Sequence, residues 1–337
     1  ADAKLEVLSS ATREQIEELP EYVQNTNITV QHIEQGHVFD LEIHVYYEQE
    51  HASVRIVDTH TNIVQIEKNW QVIFEDKTTS LELKADHSAL IMKQIWDFSQ
   101  TVDIEDVKEI LDRQIACNMA IANEGIHNSY GANIGHVILN MDSDCVKTRA
   151  KAYAAAGSDA RMSGCDMPVI INSGSGNQGI TCCVPVVVYA KELDCTQKQL
   201  YRALVLSNLT AIYIKTGIGT LSAFCGAVSS GAAAGAGIAY LHNGTYKEIQ
   251  HTIVNALAIL SGTICDGAKA SCAAKIASSV DAGIMGYYMY KNKQQFYAGD
   301  GIVAHSVDET IQNIGTLGSQ GMLQTNDKII EMMISCD

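Results

Sequence analysis

Two hydrophobic periods divide this chain. Over residues 4–24 apolar positions recur at helical spacing (Leu5, Leu8, Ile16, Leu19), and Pro20 is expected to end or break that helix. From Ile28 the period falls to two. Ile28/Val30, Val38/Leu41/Ile43/Val45, Val54/Ile56/Val57, Ile63/Val64/Ile66 and Val72/Phe74 read as short strands. Gly36, Glu48-Gln49-Glu50 and Lys68-Asn69 fall between them as connections. Asp76-Lys77-Thr78-Thr79-Ser80 reads as a linker. The pattern predicts an α+β fold: a small N-terminal α+β domain with an antiparallel sheet over 1–84, then a larger, mostly α-helical domain over 85–337.

Beyond Ser88 the helical period takes over. Ile104 to Ile121 carries apolar residues at 104, 107, 110, 111, 115, 119 and 121, with Glu105 and Asp106 in its first turn. Asp142-Ser143-Asp144 is expected to cap a helix through Ala156, and Thr196 one running to about Lys215. Residues 216–246 and 249–265 carry no charged side chain. Within them FCGAVSSGAAAGAGIAYL includes Gly231 and Gly235 in G-x-x-x-G spacing. Ala, Gly and Ser give that run a weak transfer free energy, so it reads as a central buried helix rather than a membrane span. Ser271–Tyr290, Val307–Leu317 and Ile329–Ile334 complete the helical part, and a loop holding Gly299-Asp300-Gly301 interrupts it.

Charge narrows the partners. A formal net charge of −16 and the lack of a basic stripe argue against nucleic acid. Lys147-Thr148-Arg149-Ala150-Lys151 reads as a solvated helix face. Ten cysteines without a secretory leader point to reduced thiols in a cytoplasmic protein. Cys117, Cys145, Cys165, Cys182, Cys183 and Cys195 read as small buried hydrophobes.

Two places carry candidate chemistry. Ser173-Gly174-Ser175-Gly176-Asn177-Gln178-Gly179 holds three glycines in seven residues, between the apolar runs Met167–Ile171 and Val184–Ala190. Such a loop lets backbone N–H groups converge on an anion. It also spells G-x-G-x-x-G, but Pro185 and the helical context count against a dinucleotide unit. A phosphate cup for pyridoxal phosphate is a third reading, with Lys269 or Lys275 as the Schiff-base lysine. The second place is Cys225, Cys265 and Cys272. Their spacing is neither a zinc-finger nor a ferredoxin spacing, and three buried thiols are the alternative.

Several blocks together carry a resemblance: Ser158-Asp159-Ala160-Arg161-Met162, Asn172 through Ile180, Leu206-Ser207 with Ala211–Lys215, Ile264–Ala268, Gly301–His305 and His60–Val64. On these the chain resembles the L-cysteine desulfidase family, which is similar to the α chain of iron–sulfur L-serine dehydratases. The resemblance runs from about Leu5 to the end. It implies a [4Fe–4S] cluster and no pyridoxal phosphate, with ligands on Cys225 and Cys265. The relatives' later cysteine falls on Cys272. The family's Gly-Cys-Thr-Glu-Pro segment, whose cysteine is a cluster ligand, does not occur in this sequence. The third ligand is therefore expected either at Cys272 or upstream of Ala1, and Cys336 is a further candidate.

The implied reaction removes the β-substituent of L-cysteine to give pyruvate, ammonia and hydrogen sulfide. L-serine is the runner-up substrate, and an inactive member lacking the upstream segment is a further possibility. Ser173, Gly174, Ser175, Gly176, Asn177 and Gln178 are expected to hold the substrate, with Arg161 on its carboxylate or in an ion pair with Asp159 or Asp166. His60 and His305 are candidates for proton transfer. The expected partner is a small amino acid, the expected assembly a homodimer, and no membrane contact is expected.

Overall fold

The computed structural model describes residues 11–33, 37, 39–59, 61–76 and 86–335. His60 and Cys336 lie outside the described residues. The chain divides into two compact units: the described residues of Ala1–Ile28 with Leu90–Asn326, and those of Thr29–Ala89 with Asp327–Asp337.

The smaller unit is an antiparallel meander. β1 (Asp40–Tyr47), β2 (Glu50–Val57), β3 (Ile63–Lys68) and β4 (Gln71–Glu75) lie in that order. Pairings such as Ile43↔Val54 and Val54↔Ile66 bring the β-branched residues of the alternating runs onto one face. The β3–β4 turn is Asn69-Trp70, both at positive φ (48° and 67°), which suits the twist of a two-residue hairpin. Opposite the apolar face, His51 is buried, stacks on Trp70 and meets His44 Nδ1 through its Nε2 at 2.9 Å. Ile28 and Val30, read above as a strand, form none. Two β-branched residues without a paired neighbour do not make a ladder.

In the larger unit, α1 (Arg13–Asn25) starts at a Thr12–Gln15 capping box. It contains Pro20 and continues past it, contrary to expectation. No α1 residue is buried, so water can serve the carbonyl that the proline leaves without a donor. The remaining helices are α2 (Met92–Thr101), α3 (Ile104–His127), α4 (Ile134–Met141), α5 (Val146–Met162), α6 (Gly176–Glu192), α7 (Gln197–Ile218), α8 (Gly226–Leu241), α9 (Tyr246–Ile259), α10 (Ser271–Lys291), α11 (Val307–Thr316) and α12 (Leu323–Ser335), the last belonging to this unit only as far as Asn326. A π-helical turn (Leu317–Gly321) lies between the last two. The expected fold class holds: a small antiparallel sheet followed by a mostly helical remainder.

The charge-free run becomes α8, with all but two of its sixteen residues buried. Small side chains let it approach α10 closely: a Cβ on Gly231 would lie 2.3 Å from Ser279 O, and one on Gly283 2.2 Å from Gly231 O. Among the described residues, no helix is long and apolar enough to cross a membrane.

Three local expectations are corrected. α5 is N-capped by Cys145 without a side-chain bond, not by Asp142-Ser143-Asp144. Asp142 and Asp144 instead pair with Lys151 and Arg149. The Lys147–Lys151 run is only partly solvated: Lys147 and Lys151 both reach Asp281 on α10, at 3.0 and 3.1 Å. Of the six cysteines read as buried, Cys145 is exposed and Cys117, Cys165 and Cys195 are half-buried.

Candidate active site

The glycine loop is a turn feeding a helix. Asn172 and Ser175 form an isolated antiparallel bridge, and between them Ser173 and Gly174 take left-handed φ of 49° and 78°. Ser175 caps α6 by accepting from Gln178 N. The extended stretch ahead of the turn is not a sheet strand but is fixed from both sides by Asn118. Its Oδ1 accepts from Ile170 N (2.9 Å), and its Nδ2 donates to Ile170 O (3.1 Å). Gly179 presses against that stretch, since a Cβ there would lie 2.0 Å from Ile170 O.

α6 follows directly and runs through Pro185, which was expected to disfavour a helix here. The carbonyl of Cys182, next to the one Pro185 leaves without a donor, accepts the Ser207 hydroxyl at 2.8 Å. Among the described residues no parallel sheet surrounds the loop, and the dinucleotide reading fails on that ground.

Ser175 N and Gly179 N are consumed within the turn. Gly176 N and Asn177 N, at the first turn of α6, have no protein acceptor among the described residues. The anion-facing part of the expected cradle is thus narrower than the whole block. Ser173 and Ser175 spend their hydroxyls locally, on Asn172 Oδ1 and the Gln178 N–H.

A second short bridge places the thiols. Phe224 pairs with Ile264, Cys225 N donates to Thr263 O (3.1 Å), and Cys265 N donates to Ala223 O (2.7 Å). That antiparallel pairing sets Cys225 and Cys265 side by side at the head of α8. The Cys225 thiol donates toward Cys265. This contact pushes Cys225 up and, with the Gly267 N–H and the Lys275 and Lys215 charges, holds Cys265 below the usual thiol range against burial. One sulfur of the pair is readily a thiolate. Cys272 lies at the start of α10, and its thiol meets Gly267 O at 3.6 Å.

The two features adjoin. A Cβ on Gly226 would lie 2.7 Å from the Gln178 side-chain amide, so that amide packs beside the Cys225 turn. Gln178 is 6% exposed and its Oε1 has no partner among the described residues. Arg161, near the end of α5, sits against Gly176, gives Asn177 Oδ1 a 3.3 Å hydrogen bond and feels the charge of Cys272. Burial pulls its guanidinium below the usual arginine value. Among the described residues no carboxylate pairs with it. Asp159 spends one oxygen on Gly135 N instead, so the alternative of an Arg161–Asp159 pair is not what the structure shows.

Lys269 and Lys275 both pair with Asp266. Burial would raise that carboxyl, but the two ammonium hydrogen bonds outweigh it and hold it at about 2. Neither lysine is the free amine a Schiff base needs. His305 is exposed in the loop ahead of α11.

One candidate residue escaped the sequence reading. Lys215, on the buried stripe of α7 with Leu204, Ser207, Ala211 and Ile218, is 8% exposed; burial pulls its ammonium down and the charges of Cys265 and Cys225 oppose that. A lysine ending an apolar helical stripe was the available signal.

A glycine-turned helix start, two adjoining thiols, a half-buried arginine and a buried lysine, neither with a carboxylate partner among the described residues, make up a candidate thiol-lined anion site on a mostly helical fold. The chain belongs to the serine dehydratase alpha chain family, which it matches over residues 2–331. A UPF0597 protein of Desulfitobacterium hafniense is 52% identical over 99% of this chain and 78% of its own length. Others are a UPF0597 protein of Lachnoclostridium phytofermentans (46%, 99% and 81%) and one of Treponema denticola (42%, 99% and 79%). Family membership supports a lyase-like enzyme of amino-acid catabolism.

Proposed function

We propose that this protein is an iron–sulfur-dependent lyase that eliminates the β-substituent of L-cysteine, giving pyruvate, ammonia and hydrogen sulfide; L-serine is the alternative substrate. The observation that carries this reading is the Cys225–Cys265 pair lying beside Gln178, with Arg161 nearby and, among the described residues, without a carboxylate partner.

The donor chemistry fits a [4Fe–4S] cluster. The converging donors are thiols, which suit iron–sulfur ligation rather than a hard cation. Among the described residues no three His, Cys, Asp or Glu side chains converge as they would for a single metal ion. Cys225 and Cys265 would be two ligands and Cys272 the third. When bound, such a cluster supplies a Lewis-acidic iron for the leaving group.

The protein's own groups do the rest. Arg161 binds the substrate carboxylate, assisted by the Gly176 and Asn177 N–H groups at the positive end of α6. A base, for which His60 and His305 are the candidates, takes the Cα proton. The Cβ–S bond breaks with its electron pair going to sulfur, which leaves as hydrosulfide, and Cα and Cβ become doubly bonded. The resulting 2-aminoacrylate tautomerises to the imine, and water hydrolyses it to pyruvate and ammonia. No net oxidation occurs, so no electron acceptor is needed. We further propose a homodimeric, cytoplasmic enzyme.

The test is anaerobic purification of the protein from its full reading frame, with iron and acid-labile sulfide assays and pyruvate measured after adding L-cysteine. Near-stoichiometric cluster with pyruvate formation supports the reading. A protein that stays iron-free and inactive after reconstitution refutes it.

A further inference from the structure

The segment ahead of the glycine turn is gripped by amides from two helices. Asn118, on α3, holds both backbone atoms of Ile170. Two residues on, the grip comes from α7. Asn172 Nδ2 donates to Asn208 Oδ1 at 3.0 Å and to Asn208 O at 3.2 Å. Asn208 stands one turn beyond Leu204 on α7, next to Ser207, whose hydroxyl serves the Cys182 carbonyl. Its carboxamide forms a closed pair with Gln114 of α3, two hydrogen bonds of 2.8 Å running in opposite directions. The Cys182 thiol of α6 also meets Asn208 Oδ1, at 3.4 Å. One side chain thus ties α3, α6 and α7 to the turn segment. Gln114 and Asn172 are both buried. Buried amides cost free energy unless their partners are in place, and a satisfied set fixes a single arrangement.

The partners also fix the direction of each bond. A closed pair of amides fits equally well with both groups turned over. Leu204 O breaks the tie: it accepts from Asn208 Nδ2 at 2.9 Å, so the nitrogen lies on that side and the oxygen faces Asn172. Asn172 then presents its Nδ2 to Asn208 and keeps its Oδ1 for the Ser173 hydroxyl, at 2.9 Å. Ser173 has a left-handed φ of 49°, which a residue with a side chain keeps only where its surroundings hold it. Asn172 also closes the turn through two main-chain bonds with Ser175, at 3.1 and 3.0 Å. α6 begins at the next residue, so the aim of the Gly176 and Asn177 N–H groups follows from this turn.

We propose that Asn208 is a positioning residue of the site: acting through Asn172, it sets the turn from which the Gly176 and Asn177 N–H groups meet the substrate carboxylate. The catalytic consequence rests on the lyase reading, whereas the hold on the turn does not. An amide suits the position because it offers a donor to Gln114 Oε1 and Leu204 O together with an acceptor for Asn172. The first measurement is hydrogen exchange by mass spectrometry on the full chain. It follows the peptide holding Ser175 N and Gly179 N, with α8 as the control. Asn208→Ala is expected to speed exchange in the turn about tenfold, the worth of one hydrogen bond to a buried amide, and to leave α8 unchanged. Asn172→Ala cuts the same link from the other end with the Gln114 pair intact, and serves if Asn208→Ala does not fold. Unchanged exchange in the turn, or equal acceleration in the turn and α8, overturns the proposal.

The second measurement is KM and kcat for L-cysteine with the reconstituted enzyme, together with calorimetric binding of L-alanine, which keeps the carboxylate and ammonium but has no leaving group. Asn208→Ala and Asn172→Ala are each expected to raise KM and weaken L-alanine about tenfold while kcat changes little, as for loss of a binding interaction. The double variant should lose no more than the worse single one, because the two residues act in series. Additive losses, or an active wild type whose KM survives both substitutions, overturn the positioning role and leave the lyase reading intact. A wild type that turns over neither L-cysteine nor L-serine overturns the lyase reading, and the exchange rates of the turn then decide the role of Asn208 by themselves.

Discussion

Alanine at Gly176 and alanine at Gly179, three residues apart on α6, should fail in different ways. At Gly176 the new methyl would lie 2.4 Å from Arg161 Nε, 2.9 Å from Arg161 Cζ and 2.7 Å from Val169 Cγ2, where ordinary contact begins at 3.4 Å. The guanidinium must retreat by about 1 Å, and a long side chain can do that without moving the backbone. Displacements of about 1 Å at a substrate-positioning group cost up to roughly a hundredfold in rate. Stability should change by less than about 1 kcal/mol, since a glycine-to-alanine change also restricts the unfolded chain. At Gly179 the obstacle is Ile170 O at 2.0 Å, backbone that Asn118 pins on both sides. There the fold must give, at about 3 kcal/mol or more. Thermal melting with KM for L-cysteine separates the two. Gly176→Ala should melt near the wild type with KM raised at least tenfold, and Gly179→Ala should melt well below it. A Gly176→Ala enzyme with wild-type KM would refute Arg161 as the carboxylate anchor.

Other consequences can be checked directly. Cys265→Ser should abolish the iron and acid-labile sulfide content, whereas Cys182→Ser should leave it intact. Cys182 is wholly buried and burial pushes its thiol up to about 12, so it does not supply a thiolate ligand. Gly231→Ala should cost about 2 kcal/mol or more, read as a lower melting temperature, because its methyl would meet Ser279 backbone. The Asp266 carboxyl is held at about 2 against 3.8 for the free group, so its contribution to stability is complete above 3.8 and lost as pH falls through 2. Asp266→Asn should therefore melt lower than the wild type at neutral pH, and the gap should close between about pH 4 and 2. A gap that persists at pH 2 would mean the lysine pairs do not stabilise that loop.

Much of this architecture is legible in residue order. The period of two found all four strands, because a meander pairs neighbours and needs no distant partner. The Thr196 cap and the small-residue run of α8 were equally plain. What misled were local rules that tertiary contacts override. Pro20 and Pro185 sit inside helices, the first in an exposed helix and the second beside a carbonyl served by Ser207. Ile28 and Val30 alternate but pair with no strand among the described residues. In the site, Cys225, Cys265 and the glycine turn were visible as residue types, yet their adjacency depends on the Phe224–Ile264 bridge, forty residues apart in sequence. Lys215 was hidden for the opposite reason. Its neighbours in the chain are ordinary helix residues, and only its burial, with the charges of Cys225 and Cys265 acting on it, sets it apart.

The contact between α8 and α10 constrains how such a site can change over time. Where glycines bring two backbones together, there is little side-chain volume to trade, so compensating pairs of substitutions are scarce along that seam. The platform under Cys225 is in effect frozen, and descendants of this fold that acquire new substrates must do so at helix ends and turns, where Arg161, Asn177, Gln178 and Lys215 already stand.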